Sequence, residues 1–117
     1  MYELTYEHGI TVRFDESVAR QNWRDSRIAF FDLEATSADP LEADIIEVAF
    51  MVYENFQEVG TYATLIQPQT QTITEESQNL HGISPQDVQG APPFQDVVDD
   101  LERFFNRYNV VGWCAWN

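Results

Sequence analysis

The sequence feature that most constrains the fold is residues 28–37, IAFFDLEATS, in which an apolar run leads directly into acidic residues. An apolar run bounded by charge is typical of a strand that is buried on both faces. Because side chains alternate along a strand, Asp32 and Glu34 point to the same face, about 7 Å apart. Hard divalent cations such as Mg²⁺ or Mn²⁺ relieve the repulsion between two such carboxylates. The alternative is a strand that simply ends in solvent-exposed charge.

The composition predicts one globular domain without a membrane span. A chain of 117 residues is long enough for one core, and 44% hydrophobic and 14% aromatic residues predict that it packs. The apolar runs are too short to cross a bilayer, and the acidic first twenty residues do not resemble a secretory signal. The single cysteine, Cys114, fits a reducing compartment, so we expect a cytoplasmic protein.

The net charge argues against a simple nucleic-acid-binding module. It is −14, from twenty acidic and six basic residues, and all six basic residues are arginine. Phosphate contacts normally come from lysine and arginine, so such a chain binds nucleic acid poorly on its own. A metal-dependent nuclease remains compatible, because bound cations contact the phosphate. Acidic, lysine-free composition also occurs in salt-adapted proteins.

Residues 1–27 form the first predicted unit. Apolar and polar residues alternate on both sides of His8-Gly9, which predicts a β-hairpin with a two-residue turn there. Asp15 is placed to cap a short helix over residues 17–23.

Residues 28–117 form the second predicted unit. After the central strand, residues 45–53 and 59–66 are rich in β-prone residues, and their short connections favour antiparallel neighbours. A final strand is predicted at residues 110–113. If the crossover before it is right-handed, this strand lies parallel to the central one and ends beside Asp32 and Glu34.

Three helices are predicted between the third and the last strand of this unit. Thr74 and Gly82 are placed to begin and end a helix over residues 73–80, and Ser84 to Asp87 form a second helix start. The strongest helical pattern has apolar residues on one face and acidic residues on the other. Its apolar face comprises Phe94, Val97, Val98, Leu101, Phe104 and Phe105.

Four segments together resemble the DnaQ-like (DEDDh) 3′→5′ exonuclease family. FDLEAT at 31–36 resembles its first motif, and IIEVA at 45–49 its second strand. ITEESQNLHGI at 73–83 resembles its substrate-contacting helix, and APPF at 91–94 the beginning of its second motif. The resemblance covers residues 28–117. It implies a truncated α/β, ribonuclease H-like mixed sheet of three antiparallel strands and one parallel strand after a crossover helix, with an N-terminal hairpin added.

The resemblance also implies a reaction and a metal site. The family hydrolyses phosphodiesters at the 3′ end of DNA or RNA with two metal ions, which are held by four carboxylates, and a histidine acts as general base. By position, Asp32 and Glu34 would be metal ligands for Mg²⁺ or Mn²⁺.

Five residues would contact the 3′-terminal nucleotide of a single-stranded substrate if the resemblance holds: Leu33, Thr36, Glu76, Leu80 and His81. His81 would belong to the substrate wall and would not be the general base. Its alternative is a helix-end histidine bonded to backbone.

The chain departs from the family's pattern near residue 117. The aspartate of the second motif falls on Asn117 in one alignment and one residue past it in another, and the third motif is absent. We therefore expect a natural truncation or a fragment that is inactive alone, or a degenerate non-catalytic domain that acts in nucleic-acid binding or assembly. Uncovered apolar residues, including Val48, Phe50 and Phe104, predict self-association or a covering partner.

Overall fold

The computed structural model describes residues 2–5, 11–14, 26–109 and 112–115. Its elements in chain order are β1 (Tyr2–Thr5), β2 (Thr11–Phe14), β3 (Arg27–Ala35), β4 (Ile45–Glu54), β5 (Gln57–Leu65), α1 (Glu75–His81), α2 (Phe94–Tyr108) and β6 (Gly112–Ala115). Within this part of the chain, neither helix is long and apolar enough to span a bilayer.

The main sheet has four strands in the order β5-β4-β3-β6. β3 pairs antiparallel with β4, β4 pairs antiparallel with β5, and β3 pairs parallel with β6. The predicted mixed sheet, with a parallel strand after a crossover helix, is therefore confirmed. β6 ends at Ala115, whose register partner is Phe31, the residue before Asp32.

β1 and β2 form a separate two-stranded antiparallel sheet. Their register pairs Thr5 with Thr11. A two-residue turn at His8-Gly9 would instead pair Thr5 with Val12, so the observed register differs by one residue from the prediction. That turn and the predicted helix over 17–23 lie outside the described residues. The division of the chain at residue 27 stays a prediction.

The core lies between α2 and one face of the main sheet. Val52 of β4 and Val97 of α2 have no exposed surface, and the rings of Phe50 and Phe105 meet edge to face at 5.0 Å. Val48 and Phe50 are only 2% and 6% exposed. The expectation that these two residues are uncovered was therefore wrong, because α2 packs over them. Phe104 is partly buried against the same cluster.

The central strand is buried on one face rather than two. Ala29 has no exposed surface, whereas Phe30 on the other face is 37% exposed, and Met51 beside it is 42% exposed. An apolar run specifies burial on both faces only if a layer covers each. Within the described residues, α2 covers the face of Ala29, so the expected two-sided burial is not observed.

α1 begins and ends where the sequence predicts. The side chain of Thr74 accepts a hydrogen bond from the Ser77 amide at 3.1 Å, and Gly82 adopts the left-handed conformation with φ 76°. Glycine suits this position because it has no Cβ to clash.

The second predicted helix start is a capped series of turns. Ser84 and Asp87 form the expected reciprocal pair, with the Ser84 amide 2.9 Å from Asp87 Oδ2 and the Asp87 amide 3.2 Å from Ser84 Oγ. Residues 85–90 nevertheless form turns, and the left-handed Gly90 (φ 80°) ends them. Pro92 and Pro93 follow, and a helix cannot continue through them because proline has no amide hydrogen and disfavours the helical conformation of the preceding residue.

Candidate metal and nucleotide site

Asp32 and Glu34 lie on the sheet face opposite the helical core. The register places Asp32 opposite Ala49 and Glu34 opposite Glu47. Because side chains alternate along a strand, both carboxylates lie on the same face of β3 as the exposed Phe30. Asp32 is exposed and Glu34 is half-buried. Among the described residues, no arginine or histidine forms an ion pair with either of them. The face therefore presents two carboxylates without a compensating cation from that part of the chain.

Glu47 is a third acidic residue of this face that sequence reasoning missed. Its pKa lies above the ordinary value of 4.5 because partial burial disfavours the carboxylate and because Glu34 and Asp32 repel it, while His81 opposes the shift. The sequence pattern identifies Glu47 only as part of a strand. Its position opposite Glu34 depends on the pairing register, which the pattern does not specify.

The donor set of this face fits a hard divalent cation. Asp32 and Glu34 both offer oxygen ligands, which Mg²⁺ and Mn²⁺ prefer. Such ions are commonly held by one or two carboxylates plus water. In the described part of the chain, no three His, Cys, Asp or Glu side chains converge as a metal-binding group. Asn117, the position expected for a third carboxylate, lies outside the described residues.

His81 has both ring nitrogens bonded to backbone. Nδ1 lies 3.0 Å from the Ile83 amide, and Nε2 lies 3.1 Å from the carbonyl oxygen of Ala35. Since an amide N–H can only donate, Nδ1 is the acceptor and Nε2 carries the proton that is donated to Ala35. This arrangement is the alternative interpretation of His81.

Thr36 is fully buried directly after β3. Its hydroxyl accepts a hydrogen bond from the Asp44 amide at 2.9 Å, and its own amide donates to the Asp44 carbonyl at 2.9 Å. The expected contact of this side chain with the terminal nucleotide is therefore not available in this structure. Thr36 instead joins the end of β3 to the loop before β4.

The remaining residues of the predicted substrate wall are accessible. Leu80 is 86% exposed and Leu33 is 41% exposed, and Glu76 on α1 is also exposed. Leu33 alternates to the face opposite Asp32, so it does not lie among the carboxylates. The structure thus leaves these side chains free for a ligand without assigning them one.

A family model described as RNase T exonuclease matches residues 29–113. The chain belongs to this exonuclease family. The match extends from β3 into β6 and includes the acidic face and both helices. No curated protein sequence matches the chain.

Solved structures with the same fold include several nucleases. The nuclease domain of 3′hExo, a DEDDh family member bound to rAMP, is 19% identical over 80% of this chain and 51% of its own, with a TM-score of 0.66. Cell-death related nuclease 4 (CRN-4) is 16% identical over 79% of this chain and 35% of its own, with a TM-score of 0.68. E. coli exonuclease I with a dA13 oligonucleotide is 17% identical over 68% of this chain and 18% of its own, with a TM-score of 0.62. This chain thus spans about half or less of each.

Proposed function

We propose that this chain is the N-terminal part of a 3′→5′ exonuclease domain that hydrolyses phosphodiesters at the 3′ end of DNA or RNA. The observation that carries the proposal is the carboxylate pair Asp32 and Glu34 near the end of β3, beside the end of the parallel strand β6. No arginine or histidine of the described residues forms an ion pair with either carboxylate. Ligands of open α/β sheets bind at the carboxyl ends of parallel strands. Membership of the exonuclease family supports the same assignment.

Asp32 and Glu34 are proposed to hold divalent cations, Mg²⁺ or Mn²⁺, in a two-metal site. A bound cation supplies charge that neutralises the phosphate and activates the attacking water. The two carboxylates would fix its position on the sheet face, and α1 would form the wall against which the terminal sugar and base lie. Leu80 and Glu76 are the accessible side chains of that wall.

A 3′-terminal nucleotide of a single strand is the proposed ligand. One similar structure is bound to rAMP, another is described as recognising the 3′ end of a histone mRNA stem-loop, and a third holds a DNA oligonucleotide. One further form of E. coli exonuclease I is bound to zinc. These complexes support a nucleic-acid end and a divalent metal as ligands for this site.

Hydrolysis is proposed to need residues that this chain does not supply. The second and third motifs of the family's pattern provide two further carboxylates and a histidine base, and neither motif is complete here. The alternative is a non-catalytic domain that binds nucleic acid or a partner protein.

Metal binding by the full chain tests the site. We expect weak Mn²⁺ binding in calorimetry or electron paramagnetic resonance, and we expect Asp32→Ala to abolish it. Asp39→Ala, which removes an exposed carboxylate from the loop after β3, is the matched control and should bind Mn²⁺ like the parent. Equal Mn²⁺ binding by Asp32→Ala and the parent would refute the assignment.

Activity of the same chain tests the proposed incompleteness. With Mg²⁺ or Mn²⁺, the purified chain should not degrade a labelled single strand from its 3′ end, because a missing general base alone typically costs about 10²–10⁴-fold in rate. A downstream segment that adds two aspartates and a histidine should restore hydrolysis, and Glu34→Gln should remove it again. Digestion by the short chain that survives Asp32→Ala would contradict the proposal.

A further inference from the structure

Asp44 makes the densest set of side-chain hydrogen bonds in the described part of the chain. Its Oδ2 accepts from three consecutive backbone amides, those of Gln69, Thr70 and Gln71, at 3.2, 2.7 and 2.8 Å. Its Oδ1 accepts from the Thr70 hydroxyl at 2.8 Å. One carboxylate therefore fixes a segment that lies 25 to 27 residues further along the chain.

The ionised form of Asp44 is the one that these bonds require. Burial on its own raises the pKa of this carboxyl, but the amides of Thr70, Gln71 and Gln69 and the Thr70 hydroxyl outweigh it and hold the pKa below the ordinary value of 3.8. Charge-assisted hydrogen bonds are about twice as strong as neutral ones. The segment at 69–71 is thus held by a charged group at neutral pH.

The backbone of Asp44 is joined to the end of the carboxylate-bearing strand. It exchanges two hydrogen bonds with the buried Thr36, two residues after Glu34. The carbonyl of Thr36 in turn accepts from the amide of Thr74 at 2.9 Å, and Thr74 caps α1. Asp44 consequently contacts both the end of β3 and the segment that leads into α1.

The position of α1 depends on such contacts because the helix is short. Its seven residues, Glu75–His81, are too few for a helix that is stable on its own in water. Outside α1, the hydrogen bonds at its two ends lead to Thr36 and Ala35. Residues 69–71 lead towards the N-terminal end of α1. If they were released from Asp44, this end of the helix would be held less firmly near the sheet face that carries Asp32 and Glu34.

We infer that Asp44 is a positioning residue that fixes α1 against the metal-binding face, so that the wall can receive a 3′-terminal nucleotide. This inference rests on the function proposed above. Asp44 is proposed to touch neither the nucleotide nor the metal, because both oxygens of its carboxylate accept hydrogen bonds from residues 69–71. Its effect reaches the ligand through Thr74 and α1.

The test compares Mn²⁺ affinity with AMP affinity in Asp44→Ala of the full chain. We expect Mn²⁺ affinity to stay within about twofold of the parent, whereas AMP affinity in saturating Mn²⁺ should fall on the order of tenfold, as is typical when a supporting hydrogen-bond partner is removed. A merely structural role would weaken both together or neither. Asp44→Asn keeps one acceptor oxygen for the three amides, so its AMP affinity should lie between that of the parent and that of Asp44→Ala.

The matched control is Asp39→Ala. Asp39 lies in the same loop, and its loss changes the charge equally. Among the described residues, its side chain accepts a hydrogen bond only from the nearby Leu41 amide, at 3.0 Å. We expect parental AMP and Mn²⁺ affinities for this variant. If Asp44→Ala does not fold, Thr70→Val removes the single bond to Oδ1 and should still weaken AMP binding relative to Mn²⁺ binding.

Amide hydrogen exchange separates failure of this inference from failure of the proposed function. In Asp44→Ala, amides of α1 should lose protection by about tenfold or more while amides of β4 keep parental protection; in Thr70→Val the loss should be smaller but confined to α1. If the parent binds neither Mn²⁺ nor AMP, the proposed function fails and the exchange result alone decides the role of Asp44. Parental α1 protection in a folded Asp44→Ala, or parental AMP affinity in it, would overturn the inference.

Discussion

The Nε2 atom of His81 lies 3.1 Å from the carbonyl oxygen of Ala35, so the last residue of α1 is bonded to the last residue of β3. At the other end of α1, the amide of Thr74 is bonded to the carbonyl of Thr36. The two ends of α1 are therefore bonded to the carbonyls of Ala35 and Thr36, the two residues that directly follow Glu34. This arrangement places the predicted substrate wall beside the predicted metal ligands.

Replacing His81 should destabilise the fold through its two backbone bonds. A typical hydrogen bond contributes about 0.5–1.5 kcal/mol, so His81→Ala should lower the free energy of unfolding by about 1–3 kcal/mol in urea denaturation. The neighbouring Leu80 is 86% exposed, and Leu80→Ala should stay within about 0.5 kcal/mol of the parent. Equal stability of the two variants would show that the His81 bonds do not hold α1 in solution.

Replacing Glu47 should stabilise the metal-free chain at neutral pH. The pKa of Glu47 is raised above 4.5 in the folded state, so the folded chain holds the Glu47 proton more tightly than the unfolded chain does. The free energy of unfolding therefore falls as the pH rises through the folded pKa. Glu47→Gln should remove this loss and the repulsion by Glu34, for a gain of about 0.2–1 kcal/mol at pH 7. Thermal unfolding at pH 4 and pH 7 checks it, since the difference between variant and parent should shrink at the lower pH.

The control for this prediction is Glu42→Gln, which changes the same charge in an exposed loop. It should leave the melting temperature unchanged at both pH values. A stabilisation by Glu42→Gln equal to that by Glu47→Gln would mean that the net charge of −14, and not the pairing with Glu34, causes the effect.

Truncating the apolar face of α2 should be costly. Phe104 contacts the rings of Tyr62 and Tyr108 with centroid distances of 5.9 and 4.9 Å, so Phe104→Ala should cost about 2–5 kcal/mol. Val98 lies on the same helix but is 37% exposed, and Val98→Ala should cost less than about 1 kcal/mol. A parental denaturation midpoint for Phe104→Ala would show that α2 does not dock on the sheet.

Gly60 is required by the close approach of Tyr108. A Cβ at residue 60 would lie 2.5–2.8 Å from three atoms of the tyrosine ring, which is closer than carbon atoms pack. Gly60→Ala should therefore destabilise the chain by about 1–3 kcal/mol through overpacking. The same substitution in a Tyr108→Ala background should cost much less, and additive costs in this double-mutant cycle would argue against the contact.

Local patterns in the sequence determined several elements of this fold. The alternation of residues 28–34 placed Asp32 and Glu34 on one face, Thr74 and Gly82 delimited α1, and the helical spacing from Phe94 identified α2. The handedness of the crossover also predicted the parallel pairing of β6 with β3. These features depend on neighbours within a few residues or on general chirality, so they are readable without a structure.

Only the tertiary structure decided which side chains meet. The pairing of Glu47 with Glu34, the bond from His81 to Ala35 across 46 residues and the bonding of Asp44 to the amides of residues 69–71 all depend on long-range register and loop path. Phe50 is buried because α2 covers its face of the sheet, whereas Phe30 on the other face stays partly exposed. A periodic pattern specifies which residues share a face, but it carries no information on what that face packs against, because packing depends on segments distant in the chain.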